Sequence, residues 1–310
     1  MGFEKETMNR FIPEELDRYT YWIEERERIR HLKEELKQEP PWTEDPILKE
    51  FKFCQVFRED DRTTRWFRTH MREPLRNSPE VFMATIAFRF FNLIETGRTL
   101  LDNNLHIEWD RPKAIEEIKK NPKWITGAYI VKSPNRMDKV TGVTECVSHI
   151  WDDRENIVKQ LESFTTLEKA WHFLMQYPYI GPFVSYEMVT DLRHTYLLED
   201  ATDICSWGNP GPGAMRGLNR LTGRPLEFCK RSWDWHSEML DLYDWCSQKL
   251  DLSKLNYEFE MREVEGGLCE FDKYSRILKG QGRTRSVYNY SQRNRPLIED
   301  IENGESRWEN

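Results

Sequence analysis

Two turns in this sequence are built to hold phosphate. Residues 177–194, YPYIGPFVSYEMVTDLRH, contain a helix that ends at Pro178, a tight Ile-Gly-Pro turn and a second helix from Phe183. Backbone N–H groups at such a helix start point outward, and the helix dipole favours negative charge there. Gly181 lets a ligand approach the backbone closely. Ile180, Gly181 and Phe183 are the candidate contacts. The second turn lies in SWGNPGPGAMRGLNRLTG, residues 206–223, where Gly211 and Gly213 open a helix and Arg216 follows. The guanidinium fork of Arg216 suits the oxygens of a phosphate. The plain alternative for both is a packing or capping turn. No GKS or GKT follows the glycines, so no P-loop kinase site is expected.

Cationic residues add to this. Arg58, Arg62, Arg65, Arg68 and Arg72 are spaced by 4, 3, 3 and 4, which predicts one helical face that meets an anion or forms an ion-pair network. Residues 273–295 carry seven basic and no acidic side chains, Arg283 and Arg285 among them, with Tyr274, Tyr288 and Tyr290 interleaved. Cations for phosphates and rings for stacking suit single-stranded or distorted DNA; a basic tail docked on an acidic body is the rival. The seven histidines form no HExxH or HxH motif, and the six cysteines form no CxxC pair, so neither zinc nor iron–sulfur ligation is expected.

These residues need a scaffold, and its pattern is mainly helical. Residues 14–38 read as a long charged helix after Pro13, and Pro40, Pro41 and Pro46 end it. Helices are predicted over 48–72, 79–97 and 110–120. The β-branched, glycine-bearing stretch 124–145 predicts a small β-hairpin. From 147 to 250 the pattern is helical again. The expected organisation is a charged helical arm over 1–40, one helical domain over 41–302 and an acidic tail over 303–310. Of the 310 residues, 38% are hydrophobic and 32% charged, with twelve Trp, which predicts a soluble chain with a large core. No apolar run approaches 18 residues and no secretory signal opens the chain, so no membrane partner and a cytoplasmic location are expected. The net charge of -8 argues against general nucleic-acid binding, although local patches decide that.

The first turn resembles the helix-hairpin-helix of DNA glycosylases. In those proteins a catalytic Asp lies about 22 residues beyond the second hairpin glycine; counting from Gly181 reaches Asp203. The lyase lysine position holds Ser185, so the resemblance implies an acid and no Schiff-base nucleophile. A helix-capping Asp203 is the alternative.

Residues 41–67, 84–97, 125–131, 179–195, 211–221 and 268–276 together resemble the DNA base hypermodification family of bacteriophages. That family includes the α-glutamyl/putrescinyl-thymine pyrophosphorylases and the helical domain of 5-hydroxymethyl-deoxyuridine DNA kinases. The resemblance implies a glycosylase-like helical fold that flips a thymine-like base of double-stranded DNA into a pocket. It further implies a transferase that replaces pyrophosphate on the activated 5-methylene with an amine, either an amino acid or a polyamine. Arg216, Arg89 and Lys273 would stabilise the leaving group, and Asp203 would accept a proton. Asn92 and Asp191 would read the pyrimidine edge or orient neighbours, and Glu270 and Asp272 would bind the cationic nucleophile. No cofactor is required, with the hairpin as the place for a monovalent cation. A functional link to a 5-hydroxymethyluracil DNA kinase is implied. The alternatives are a glycosylase that excises a modified pyrimidine and a non-catalytic DNA-binding partner of such a kinase.

Overall fold

The computed structural model describes residues 10–127, 132–134, 136–230, 232–282 and 287. It divides into two compact units: residues 63–209 form one, and residues 1–62 with 210–310 form the other. Among the described residues the chain is mainly helical, and the only extended pairing is an isolated bridge between Phe51 and Val287.

The discontinuous unit is built on α1 (Pro13–Arg30), α2 (Pro46–Glu50), α11 (Pro212–Thr222), α12 (Trp235–Lys249) and α13 (Met261–Leu278). Pro13 starts α1, with Glu14 and Glu15 in its first turn and Arg28 and Arg30 in its last, matching the helix dipole. Leu16, Tyr19, Trp22 and Ile23 recur at helical spacing and are fully buried with Leu218, Met239 and Phe271. The helix expected as a charged arm is thus one wall of a core. Glu15, Glu27 and Arg30 are buried along with its large apolar residues, and it is the apolar residues that decide where it packs.

A capping box opens α13: the Glu260 side chain accepts from the third helical residue, and Glu263 Oε2 accepts the Glu260 N–H at 3.1 Å. From there Met261, Val264, Leu268, Phe271 and Tyr274 form one buried stripe. Helices α11 and α13 pack very closely because two glycines of α11 lie in the contact. A Cβ on Gly217 would stand 2.4 Å from the Leu268 carbonyl oxygen, and one on Gly213 would stand 2.3 Å from Cys269 Sγ.

The continuous unit holds, after α3 (Arg62–Phe67) has crossed into it, α4 (Glu80–Phe91), α5 (Ile94–Asp102), α6 (Arg111–Ile118), α7 (Lys139–Trp151), α8 (Arg154–Leu161), α9 (Leu167–Leu174) and α10 (Pro182–Leu192). Helix α4 is its axis: every residue from Val81 to Phe91 is buried. Among the described residues of 124–145 the expected β-hairpin is not found. Residues 128–131 and 135 lie outside the described residues, and Lys139 onward is helix. Asp138 caps α7 by accepting the Thr141 N–H at 3.2 Å, and Val140, Val143, Val147 and Ile150 fall on its buried side. Helical periodicity and a cap outweigh the β-preference of valine and threonine.

The predicted helix over 48–72 is also interrupted. Residues Arg58–Asp60 form a 3-10 turn, Asp61 is extended, and α3 gives way to a π-turn at Arg68–Arg72. The five arginines therefore share no single α-helical face. Arg58 and Arg72 are buried, Arg58 belongs with Arg62 to the discontinuous unit, and Arg65 belongs to the other.

Candidate functional site

In the continuous unit, the turn at 177–181 joins α9 to α10 as the spacing predicts. Gly181 is the N-cap residue of α10 and Pro182 its first residue. A Cβ on Gly181 would meet nothing within 4 Å, so the approach to this helix start is open. Phe183 is 46% exposed beside it, whereas the Ile180 side chain lies in the core and can offer a ligand no surface. Trp171 Nε1 and Asn209 Nδ2 both donate to the Pro182 carbonyl, at 2.8 and 3.3 Å, and fix the turn. Ser185 is buried and donates to the Trp171 carbonyl at 2.8 Å, so its position faces the core.

Asp203 does what a cap does. Its two oxygens accept the N–H groups of Leu167 and Glu168 at 2.7 and 3.0 Å, at the start of α9. Its register beyond Gly181 is accounted for by this contact.

Arg89 and Asp191 form a buried ion pair. Arg89 donates to both Asp191 oxygens, to Asn92 Oδ1 at 2.7 Å and to Thr64 Oγ1 at 3.2 Å. Arg72 adds a contact to Asp191 at 3.8 Å. Asp191 is wholly inaccessible and Arg89 nearly so, and the rings of Phe67 and Phe88 lie 5.2 and 5.5 Å from the guanidinium. Asn92 takes a left-handed conformation that ends α4. Arg89, expected to stabilise the leaving group, and Asn92 and Asp191, expected to read the pyrimidine edge or orient neighbours, form one buried network that ties α4 to α10, because a fully desolvated charge demands a full set of partners.

The discontinuous unit gathers the remaining candidates along α13. Asp272, almost fully buried, accepts from Arg216 Nε at 2.9 Å and Arg220 Nε at 2.7 Å. Arg220 is buried, but the Arg216 side chain is 43% exposed. Asp272 thus grips one edge of the Arg216 fork and leaves its terminal nitrogens toward solvent. This also corrects the role expected of Asp272: between two arginines it positions a cation and is not itself a receptor for one.

Glu270 accepts the Cys54 N–H at 2.9 Å and pairs with Lys273 at 3.1 Å, whose ammonium lies 4.6 Å from the Phe53 ring centre. Asp61 accepts the Gln55 N–H at 3.2 Å; burial pushes its carboxyl up to about 6, Glu270 adds to this, and Arg58 and Arg262 act against it. The Glu270 charge and burial push the Cys54 thiol well above its usual value. Burial, with Glu265 and Glu270, pushes Cys269 up to about 12, with Arg216 opposing. Both thiols still touch solvent. One patch therefore carries an outward arginine, a lysine and several carboxylates.

The glycines at 211 and 213 serve this patch by packing. The N–H of Gly211 donates to Glu265 Oε1 at 3.3 Å, and Arg262 Nη1 donates to Glu265 Oε2 at 2.5 Å. The helix start expected to cradle a phosphate is met by the chain's own carboxylate. Within the basic run, Tyr274 is buried and donates to Asp45 at 2.6 Å, and Lys279 pairs with Glu15 at 2.9 Å. Arg283 and Arg285 lie outside the described residues.

Sequence reasoning missed Asp61, Arg220 and Arg262. Arg220 had a signal, since it stands one helical turn from Arg216. Asp61 had none, because nothing in the sequence separates it from the adjacent Glu59 and Asp60.

The family model described as "5-hmdU DNA kinase, helical domain" matches residues 14–283. The chain belongs to this family. A curated relative, the "5-hmdU DNA kinase" of Bacillus phage SP10, is 24% identical over 317 residues, covering 90% of this chain and 47% of the relative. The chain thus spans about half the length of that relative. No solved structure matches. The 5-hmdU DNA kinase helical-domain match includes both units, and so both the Arg216 patch and the turn at Gly181.

Proposed function

We propose that this member of the family acts in DNA base hypermodification, as a transferase that replaces pyrophosphate on the activated 5-hydroxymethyl group of a uracil base with an amine. The observation that carries the reading is Arg216, held at one edge by buried Asp272 with its terminal nitrogens toward solvent in a patch of paired charges. A rigid, exposed guanidinium is suited to a phosphate-like leaving group.

The reaction asks for three things, and the patch supplies each. Breaking the C–O bond leaves its electron pair on pyrophosphate, and Arg216 and Lys273 neutralise that charge. The amine lone pair forms the new C–N bond at the methylene carbon. A cationic amine is drawn by Glu270, and its proton passes to Asp61, whose affinity near pH 6 suits a base at neutral pH. The helix start at Gly181 supplies a contact for the DNA backbone, with Phe183 beside it.

The test uses DNA carrying pyrophosphorylated 5-hydroxymethyluracil and a panel of amines, with released pyrophosphate as the readout. Arg216→Ala is expected to slow release by on the order of a hundredfold, typical of a lost charge-stabilising donor. The rate of the unaltered protein should rise with pH through about 6 as Asp61 loses its proton, and Asp61→Asn should abolish that limb. Release within twofold of the unaltered rate in Arg216→Ala removes Arg216 from the mechanism.

A second reading is a DNA-binding partner that presents the base to a kinase, favoured by the description of the matching family. Tight binding to DNA with no turnover of the activated base would support it.

A further inference from the structure

At the other end of α11 from Gly211, the discontinuous unit has a pocket of about 440 Å³ lined by Arg10, Thr222, Arg224, Trp233, Asp234, Ser237 and Glu238. Its volume is in the range of small-ligand sites. Arg224 forms its rigid back. The guanidinium pairs through both terminal nitrogens with the buried Glu238 carboxylate, and Nε donates to Asn219 Oδ1 at 3.0 Å. Three rings surround it, with centres 5.2 Å away for Phe228, 5.0 Å for Trp233 and 5.1 Å for Trp235. Trp233 Nε1 donates to Glu238 Oε1 at 3.0 Å, which fixes the indole plane.

This order is unusual for a ring that is 43% exposed. Large exposed aromatics ordinarily gain little from being held. Here a buried ion pair and two further rings hold one in place, and the surface left open lines a pocket. At the rim, Arg10 uses Nη1 to reach Ser237 Oγ at 2.9 Å and Asp241 Oδ2 at 2.5 Å. Among the described residues, its Nε and Nη2 show no protein acceptor, so a planar two-donor edge stays open beside the indole. Asp234 and Ser237 stand at the start of α12, with Asp234 accepting the Ser237 N–H at 3.0 Å.

We infer that this pocket binds a nucleotide, with the base stacked on Trp233 and a phosphate on the open edge of Arg10. Stacking on a fixed ring is tolerant of base identity and contributes about 1–3 kcal/mol per base, and the arginine edge matches two phosphate oxygens. An aliphatic ligand would not use the ring plane, and a simple anion would not need it. The pocket shares no residue with the Arg216 patch and does not rest on the reaction proposed there. The same chemistry is offered by a free nucleoside 5′-phosphate and by one nucleotide of a DNA strand.

The experiment is calorimetric titration of the full chain with thymidine 5′-phosphate, with deoxyadenosine 5′-phosphate, with deoxyribose 5-phosphate and with a single-stranded thymidine hexamer. The mononucleotides or the hexamer should bind, and the sugar phosphate should not. Trp233→Ala and Arg10→Gln should each weaken binding at least tenfold. Trp233→Tyr should restore most of the affinity, which separates stacking from a merely structural part for the ring. Binding of mononucleotides identifies a free nucleotide as the ligand, and binding of the hexamer alone identifies a strand. No binding by any nucleotide or strand, or binding unchanged in both Trp233→Ala and Arg10→Gln variants that keep the unaltered melting temperature, overturns the proposal. Equal binding of deoxyribose 5-phosphate overturns it as well.

Discussion

Glu263 shows how far one side chain can tie stability to pH. Burial, with the neighbouring Glu260 charge, pushes its carboxyl up to about 8. In the unfolded chain it returns to the ordinary value near 4.5. Between these values the folded state holds the proton more tightly. The contribution is therefore fully present below the unfolded value and is lost as pH rises toward 8. The melting temperature is expected to fall from pH 5 to pH 8.5, and Glu263→Gln should flatten this fall, recovering on the order of 3 kcal/mol at the alkaline end. Gln keeps the acceptor that the Glu260 N–H needs at the start of α13. Calorimetric scans of both proteins across that range check it, and an equally steep fall in the variant removes Glu263 as the cause. At the same scale, Asp203 illustrates a limit of reading by register. Its distance from Gly181 was legible, but whether its oxygens face a ligand or a helix start depends on a contact 36 residues back in the chain.

At the scale of elements, the glycines of α11 carry the lesson. Gly213 and Gly217 stand four residues apart near a helix start, a pattern that fits a phosphate cradle and a close helix contact equally well. Only the partner helix decides, and α13 fills the space. Gly217→Ala is expected to cost about 1–3 kcal/mol, because the added methyl would press on the Leu268 backbone, which cannot swing away as a side chain can. Chemical denaturation measures this, and an unchanged midpoint would show that the two helices part without cost. Much of the helical scaffold was legible. Pro13 and the turn before Pro182 mark boundaries that the structure keeps, whereas the helix that Asp138 caps stands where a β-hairpin was expected. The 3-10 and π-turns around Asp61 were not legible, since no proline or glycine interrupts residues 55–72. The Arg89–Asp191 pair was hidden for another reason: the two residues are 102 positions apart, and burial converts what looks like a reactive pair into a structural one.

At the scale of the whole molecule, the two units differ in how the chain builds them. Residues 63–209 are continuous, and the other unit needs two separate stretches. A unit with its own core and one continuous segment can fold alone. A fragment of residues 63–209 should therefore be helical and melt cooperatively, as seen by circular dichroism; a gradual, non-cooperative loss of signal would contradict this. The family match extends through both units, so the activity is expected to need the full chain. The most direct test of the proposed reaction is to incubate that full chain with DNA bearing pyrophosphorylated 5-hydroxymethyluracil and amines, then digest the DNA and weigh the nucleosides. The account predicts released pyrophosphate together with a nucleoside heavier than thymidine by the mass of the amine less two hydrogens; abasic sites without that nucleoside would contradict it.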